Sequence, residues 1–446
     1  MQLSGRNEPA PAPSTAPASS SLSGRLRAAA CMLLAAGTPG AAVAQTPGVA
    51  SSSFEVTGLY YAEAQRTSVV EPVGRFTRLF ADGQSLSAQF ALDVMSGASP
   101  TGANPSGVSQ TVTSASGTTT TTAGDQVPTA MFKDTRAAID LEWVRPLGLL
   151  TPTLGTHYSR EKDYQSFGAN AKLSLDVNQR LTTFTVGAGT NHDSVFPVGG
   201  IVPGLSPVAA GSGGVGAGGE GEGGGSLSDA ESKRVGTGLA GISQVLTRRW
   251  LMGADLTRTW ESGYLTEPYK VVSLLDPVTG HTTGELTEKR PDNRLRTSVL
   301  VNSVYHLSQD IAYVSYRYYW DDWNIRSHTI DLRFRRDLES GAWLEPHARY
   351  YSQSAAEFFQ QGLVNGQPLP AFASADQRLG ELRTVTLGAT YGFKLPGQPG
   401  ELSVRAEYMG QFGNGHPADA VGVQRQYDLA PPLNTFSLVV GWSLAR

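Results

Sequence analysis

Residues 310–354 read DIAYVSYRYYWDDWNIRSHTIDLRFRRDLESGAWLEPHARYYSQS, alternating three times between an apolar and a charged face. In the first run Ala312, Val314, Tyr316, Tyr318 and Trp320 share one face, with Ser315, Arg317, Tyr319 and Asp321 on the other. The second sets Ile330, Leu332 and Phe334 against Thr329, Asp331, Arg333 and Arg335. The third sets Leu344, Ala348 and Tyr350 against Glu345, His347, Arg349 and Gln353. A repeat of two marks a strand, whose successive side chains point to opposite faces. Arginines are costly in the core of a soluble sandwich. They suit a closed barrel with lipid outside and water inside.

The same alternation recurs along the chain, near 54–64, 75–80, 85–95, 136–143, 150–160, 165–177, 181–191, 234–246, 250–260, 294–305, 383–393, 401–409 and 435–444. With the three strands above it predicts an all-β fold, a transmembrane antiparallel up-and-down β-barrel of about sixteen strands, the even number a closed bacterial barrel takes. Short turns at 146–148, 178–180, 247–249, 308–310 and 395–400 take alternate places with long segments at 96–130, 194–233, 262–293, 357–377 and 411–433. Short periplasmic turns and long extracellular loops give that asymmetry. The Ser/Thr tract 109–122 and the glycine tract 211–226 are too poor in apolar surface to order themselves, so the outer loops near 96–130 and 194–233 are expected to be disordered.

The chain's 446 residues open on an export segment by this reading. Arg25 and Arg27 precede a small apolar run, and Ala42-Val43-Ala44 supplies the small residues of a cleavage site, giving a signal peptide at 1–44 and a barrel at 45–446. Cys31, the one cysteine, falls inside that segment, which excludes disulfides and thiolate chemistry from the mature protein. No internal run reaches the ~20 apolar residues of a spanning helix. The net charge of −4 without a basic stripe speaks against nucleic acid. Charged residues make up 17%, below the ~25% of soluble domains, as a lipid-facing surface demands.

Three segments carry a family resemblance: residues 93–103 (DVMSGASPTGA), residues 316–323 (YRYYWDDW) with Ser327-His328-Thr329, and residues 344–351 (LEPHARYY) with 353–356 (QSAA). They resemble a bacterial outer-membrane barrel family known as domain of unknown function 3570, and the likeness runs from Phe54 to the end. The resemblance implies an integral outer-membrane protein of a Gram-negative cell, in contact with outer-membrane lipid and with the barrel-insertion machinery. It implies no agreed biochemical activity, and it hints at a periplasmic redox or flavin-transfer partner. Barrels usually end in an aromatic residue read on insertion, whereas this chain ends Trp442-Ser443-Leu444-Ala445-Arg446.

Three sets of residues carry candidate chemistry. Arg317, Asp331, Arg333, Arg335, Glu345, His347 and Arg349 form an inward charge ladder, readable as a selectivity zone or as a neutralising brace. Asp93, Asp321 and Asp322, with His192, Asp193 and His328, form an extracellular rim suited to a hard cation or a His/Asp-held metal. His347 beside Glu345 is the best acid/base pair, although no Gly-x-Ser-x-Gly elbow or His-Glu-x-x-His helix accompanies it. The aromatics Tyr318, Tyr319, Trp320, Trp323, Trp143, Trp250, Trp260 and Trp442 fit interfacial girdles. The expectation is a non-enzymatic channel or export conduit for a small polar solute, without cofactor or catalytic residues. A closed barrel serving as scaffold for a periplasmic redox or maturation complex is the alternative, and an outer-membrane hydrolase the third.

Overall fold

Every predicted period-two segment becomes a strand, and the strands close on themselves. In the computed structural model, which describes residues 50–445 apart from 65, 114–118, 199, 209–229, 339–340 and 398, sixteen antiparallel strands form one barrel. They are β1 (Ser51–Glu63), β2 (Thr67–Leu79), β3 (Ser85–Pro100), β4 (Thr129–Val144), β5 (Leu150–Arg160), β6 (Tyr164–Val177), β7 (Thr182–Val195) and β8 (Glu231–Thr247). The second half is β9 (Trp250–Gly263), β10 (Asn293–His306), β11 (Asp310–Asp321), β12 (Arg326–Asp337), β13 (Trp343–Gln353), β14 (Leu382–Lys394), β15 (Glu401–Gly413) and β16 (Leu433–Ala445). Each strand pairs with its sequence neighbour, and β1 closes the cylinder on β16 through pairs such as Tyr60 with Leu438. The export segment, Cys31, the cleavage point at Ala44, the glycine tract 211–226 and the terminal Arg446 lie outside the described residues.

Alternation sorts the two faces. Phe90, Val186, Leu387 and Tyr408 point outward and are more than half exposed. Such an outer surface is tolerable only against hydrocarbon. Closure leaves no unpaired strand edge, which is what allows a sheet to sit in lipid. Trp250 and Trp260 are outward-facing, and Trp442 makes an edge-on contact with Phe54, as a girdle requires. Trp323 and Tyr319 do not join it: Trp323 is 2% exposed, and the Tyr319 hydroxyl donates to Asp321.

Strand β2 is longer than its sequence pattern, beginning at Thr67 instead of Arg75. Pro72 in the added stretch lacks an N–H, which a strand tolerates only where no ladder bond is needed. It is opposite Gly58 on β1, and it falls where the ladder to β3 lapses between Val70–Val94 and Val73–Ala91. The missing donor therefore has no ladder bond to break.

Over the described residues the outer loops carry structure of their own. Within the Ser/Thr tract, Gln110–Thr113 and Thr119–Thr122 pair as a two-stranded ribbon. Val271–Leu275 and Thr282–Thr287 form a hairpin joined in parallel by Leu363–Val364 from the loop between β13 and β14. Leu265, Trp323, Ile325, Ala356, Phe358 and Leu379 make one apolar core among these loops, while Val272, Leu286, Leu363, Ala373 and Ala375 make another. Gln424 ties three loops, donating to the carbonyls of Pro105 and Gly280 at 2.9 Å each and accepting from Asn104 at 3.2 Å. The loops leaving β3, β7, β9, β13 and β15 thus meet in one ordered cap. They leave the ring at well-separated points, so the cap spans the outer mouth.

Candidate functional site

Charge inside the barrel lies mainly on the wall β10–β15, where inward positions of neighbouring strands come side by side. Cross-strand neighbours in a ladder sit closer than residues i and i+2 on one strand, so pairing follows register more than sequence spacing. Asp331 lies opposite Arg349 and accepts from its Nε at 2.7 Å. His347 bridges two carboxylates, with Nε2 2.9 Å from Asp331 and Nδ1 2.7 Å from Glu407. Glu407 is two strands away. His347 reaches it over Gly388, where a Cβ would stand 2.5 Å from Glu407 Cγ. Arg333 lies 3.7 Å from both Asp331 and Glu345.

The expected ladder is therefore present in part as one network. Asp331, Arg333, Glu345, His347 and Arg349 join it; Arg317 and Arg335 stand apart. The guanidinium of Arg335 covers the Trp343 ring at 4.0 Å and approaches Asp337 at 3.2 Å, near the short-turn end of the barrel. Arg317 has no ion pair among the described residues, and its Nε is buried without a hydrogen bond. The pairing of His347 with Glu345 is corrected: Asp331 and Glu407 hold the imidazole, and Glu345 turns to Arg333. Glu407 and its neighbour Arg405, whose Nε donates to Thr390 at 3.3 Å, are members that the sequence reading left out. Their alternation with Leu402, Val404 and Ala406 was the available signal.

The far wall carries charges of both signs. Asp140 accepts from His157 Nδ1 at 2.6 Å, and Glu142 lies 3.8 Å from Arg75. These carboxylates are on β4, eight strands from β12 and so across the bore.

The rim residues do not gather into one site. Asp93 is buried against Arg136, at 2.7 Å from its Nε. Asp193 accepts from Ser166 at 2.7 Å and faces Lys233 at 3.6 Å. Asp321 takes Arg294 at 2.5 Å and caps the turn by accepting from the N–H groups of Trp323 and Ile325. Asp322 accepts from the N–H of Leu295 at 2.9 Å. His192 is exposed on the outer face, and His328 is exposed there too, bonded to the Tyr316 hydroxyl at 2.7 Å. Each has a local structural partner or faces outward, which accounts for the motif residues without a shared metal.

A second concentration of charge lies in the cap and was not anticipated. Arg290 holds Glu288 at 2.6 Å and Asp376 at 2.8 Å, and Arg378 holds Asp376 and lies 3.5 Å from Glu267. Lys270 donates to Ser99 at 3.2 Å and to the carbonyl of Pro100, fastening the cap to β3. Glu288 is 0% exposed. Burial pushes its carboxyl up from the ordinary value despite Arg290. Burial works the same way on Asp376, but there Arg378 and the neighbouring cations win and hold the carboxyl far below its usual range. These are long-range partners (Arg290 and Asp376 belong to different loops), which is why no local pattern revealed them.

A family model described as "Protein of unknown function (DUF3570)" matches residues 23–444. No curated protein matches the chain. Among solved structures, the outer membrane protein opdK from Pseudomonas aeruginosa is similar at 10% identity, covering 89% of this chain and 99% of that one with a TM-score of 0.39. A bacterial polysaccharide outer membrane secretin is similar at 8% identity, over 89% and 99%, with a TM-score of 0.42. A loop L8 deletion mutant of OmpT, an outer membrane protein of Vibrio cholerae, is similar at 8% identity, over 89% and 99%, with a TM-score of 0.38. The chain's own closed strand order carries the assignment of a transmembrane antiparallel barrel.

Proposed function

We propose that this chain, which belongs to the DUF3570 family, is an outer-membrane conduit for a small polar solute, selective through its arginine wall and capped at its outer mouth. The supporting observation is the lumen network. A wall that only braced the barrel would pair its charges one to one. Here Arg317, Arg333, Arg349 and Arg405 line β11–β15 with His347, against Asp331, Glu345 and Glu407. Sixteen strands enclose a bore wide enough for water. Rings or patches of fixed charge in such a bore sort ions by sign. The excess of arginine favours anionic solutes on this wall.

The cap supports a qualified form of this reading, a channel whose resting current is small and grows when the outer loops are loosened. Purified protein in planar bilayers tests it. The reversal potential in a salt gradient is expected to show anion preference. Arg317→Glu changes two unit charges. It should lower the anion-to-cation ratio by up to about a hundredfold, taking one charge ~6 Å from an ion in water as a threefold weight on anions and the inverse on cations. Absence of steady current both in the native protein and after proteolytic trimming of the outer loops would favour the closed scaffold and overturn the conduit.

A further inference from the structure

Just beyond the point where β4 and β5 cease to pair, at Ala137 with Arg160, three carboxylates converge. Asp134 comes from β4; Glu161 and Asp163 come from the tight turn between β5 and β6, closed by the Glu161 N–H donating to the Tyr164 carbonyl at 2.8 Å. One oxygen from each lies within 4.8 Å of the others. Glu161 is 4% exposed, and among the described residues neither of its oxygens has a hydrogen-bond partner. The guanidinium of Arg136 lies 2.6 Å from Asp93 through its Nη2 and gives Glu161 no hydrogen bond, only the attraction of its charge, which burial outweighs.

We propose that Asp134, Glu161 and Asp163 form a divalent-cation site at the outer rim, built for calcium. A carboxylate buried without donors is among the costlier arrangements in a protein unless a charge of opposite sign joins it. Burial raises the carboxyls of both Glu161 and Asp163, with neighbouring acids adding to the effect. A bound dication removes that cost at once. The donor set is all oxygen, with no imidazole or thiolate, which selects hard cations over transition metals. Calcium accepts irregular carboxylate geometry and bidentate binding, whereas magnesium demands near-octahedral order and retains its waters.

Position gives the site a consequence. Asp163 also accepts from the Tyr269 hydroxyl at 2.6 Å, and that hydroxyl in turn accepts from the Val198 N–H at 3.1 Å. Tyr269 belongs to the loop between β9 and β10, so a cation here fixes the barrel rim to the cap.

Terbium(III) luminescence tests the assignment, because Tyr269 and Tyr164 are placed to sensitise an ion held by Asp163 and Glu161. Full-length mature protein in calcium-free detergent is expected to give tyrosine-excited terbium emission. Calcium chloride should displace it with a midpoint on the order of 0.1–1 mM, the range of extracellular oxygen sites. Glu161→Gln and, from the strand side, Asp134→Asn should each weaken binding roughly tenfold or more, since charge count sets affinity in such sites. Asp322→Asn, on the rim but outside the cluster, should leave it unchanged. Heat-modifiable mobility confirms that each variant is folded, and calcium should raise the thermal midpoint of the native protein and of Asp322→Asn but not of the two cluster variants. The site is refuted by native protein showing neither calcium-displaceable emission nor a calcium-dependent thermal shift, as when the acids merely share a proton. Emission of native strength in folded Glu161→Gln and Asp134→Asn refutes it equally.

Discussion

Replacing Arg290 with methionine is expected to unseat the outer cap at a cost of about 3–5 kcal/mol, the penalty for breaking a buried ion pair by removing one partner. Arg290 lies between Glu288 and Asp376, on two different loops, and all three are buried. Asp376 keeps Arg378 after the change, but among the described residues Glu288 is left with the Glu267 N–H, at 2.6 Å, and the Ser374 hydroxyl as donors. Limited proteolysis should then cut within 264–292 and 354–381 while the sixteen strands keep their heat-modifiable mobility. Adding Glu288→Gln to the same protein should recover part of the loss, because it deletes the stranded charge. In bilayers the single variant should also pass more current than the native barrel. Unchanged protease resistance would assign the cap's stability to its apolar cores alone.

Leu387→Arg is expected to cost about 2–4 kcal/mol of folding free energy in lipid, the depth-dependent penalty for a cation on the outer face near the midplane. Leu387 is midway along β14, 60% exposed, between Ala348 and Tyr408 on its neighbours. Urea titration of protein refolded into vesicles reads the loss. Gln89→Arg supplies the contrast: Gln89 faces the bore beside Asp140, so an arginine there meets water and a carboxylate. Equal penalties at the two positions would contradict the assignment of lipid and lumen faces.

The barrel was legible because its information is local. A period of two needs only five or six residues to declare itself, and Leu402, Val404, Ala406 and Tyr408 announce β15 without reference to any other strand. The lumen charges were legible as a face but not as partners. His347 looks adjacent to Glu345 along the chain, yet Gly388 on the intervening strand opens the way to Glu407. The cap was not legible at all. Val272, Leu286 and Leu363 are scattered across two loops, and none lies in a segment that buries enough surface alone. Their order depends on the barrel holding the loop ends close together, which spares much of the closure entropy. Polar composition was therefore a poor guide there, and Gln424 and Glu288 became interior residues.

The connections at the two ends of the cylinder are unequal, from two residues (248–249) to six (395–400) on the short side, against the interlocked cap on the other. In the proposed orientation, among the described residues, no connection at the inner opening exceeds six residues. On the proposed reading a solute coming from the periplasm meets the charged wall first and the outer cap last, so the wall sorts and the cap gates. If the barrel is the proposed conduit, regulation through the cap acts from the cell's exterior, where the ionic composition of the surroundings, and not the state of the cytoplasm, is the signal at hand.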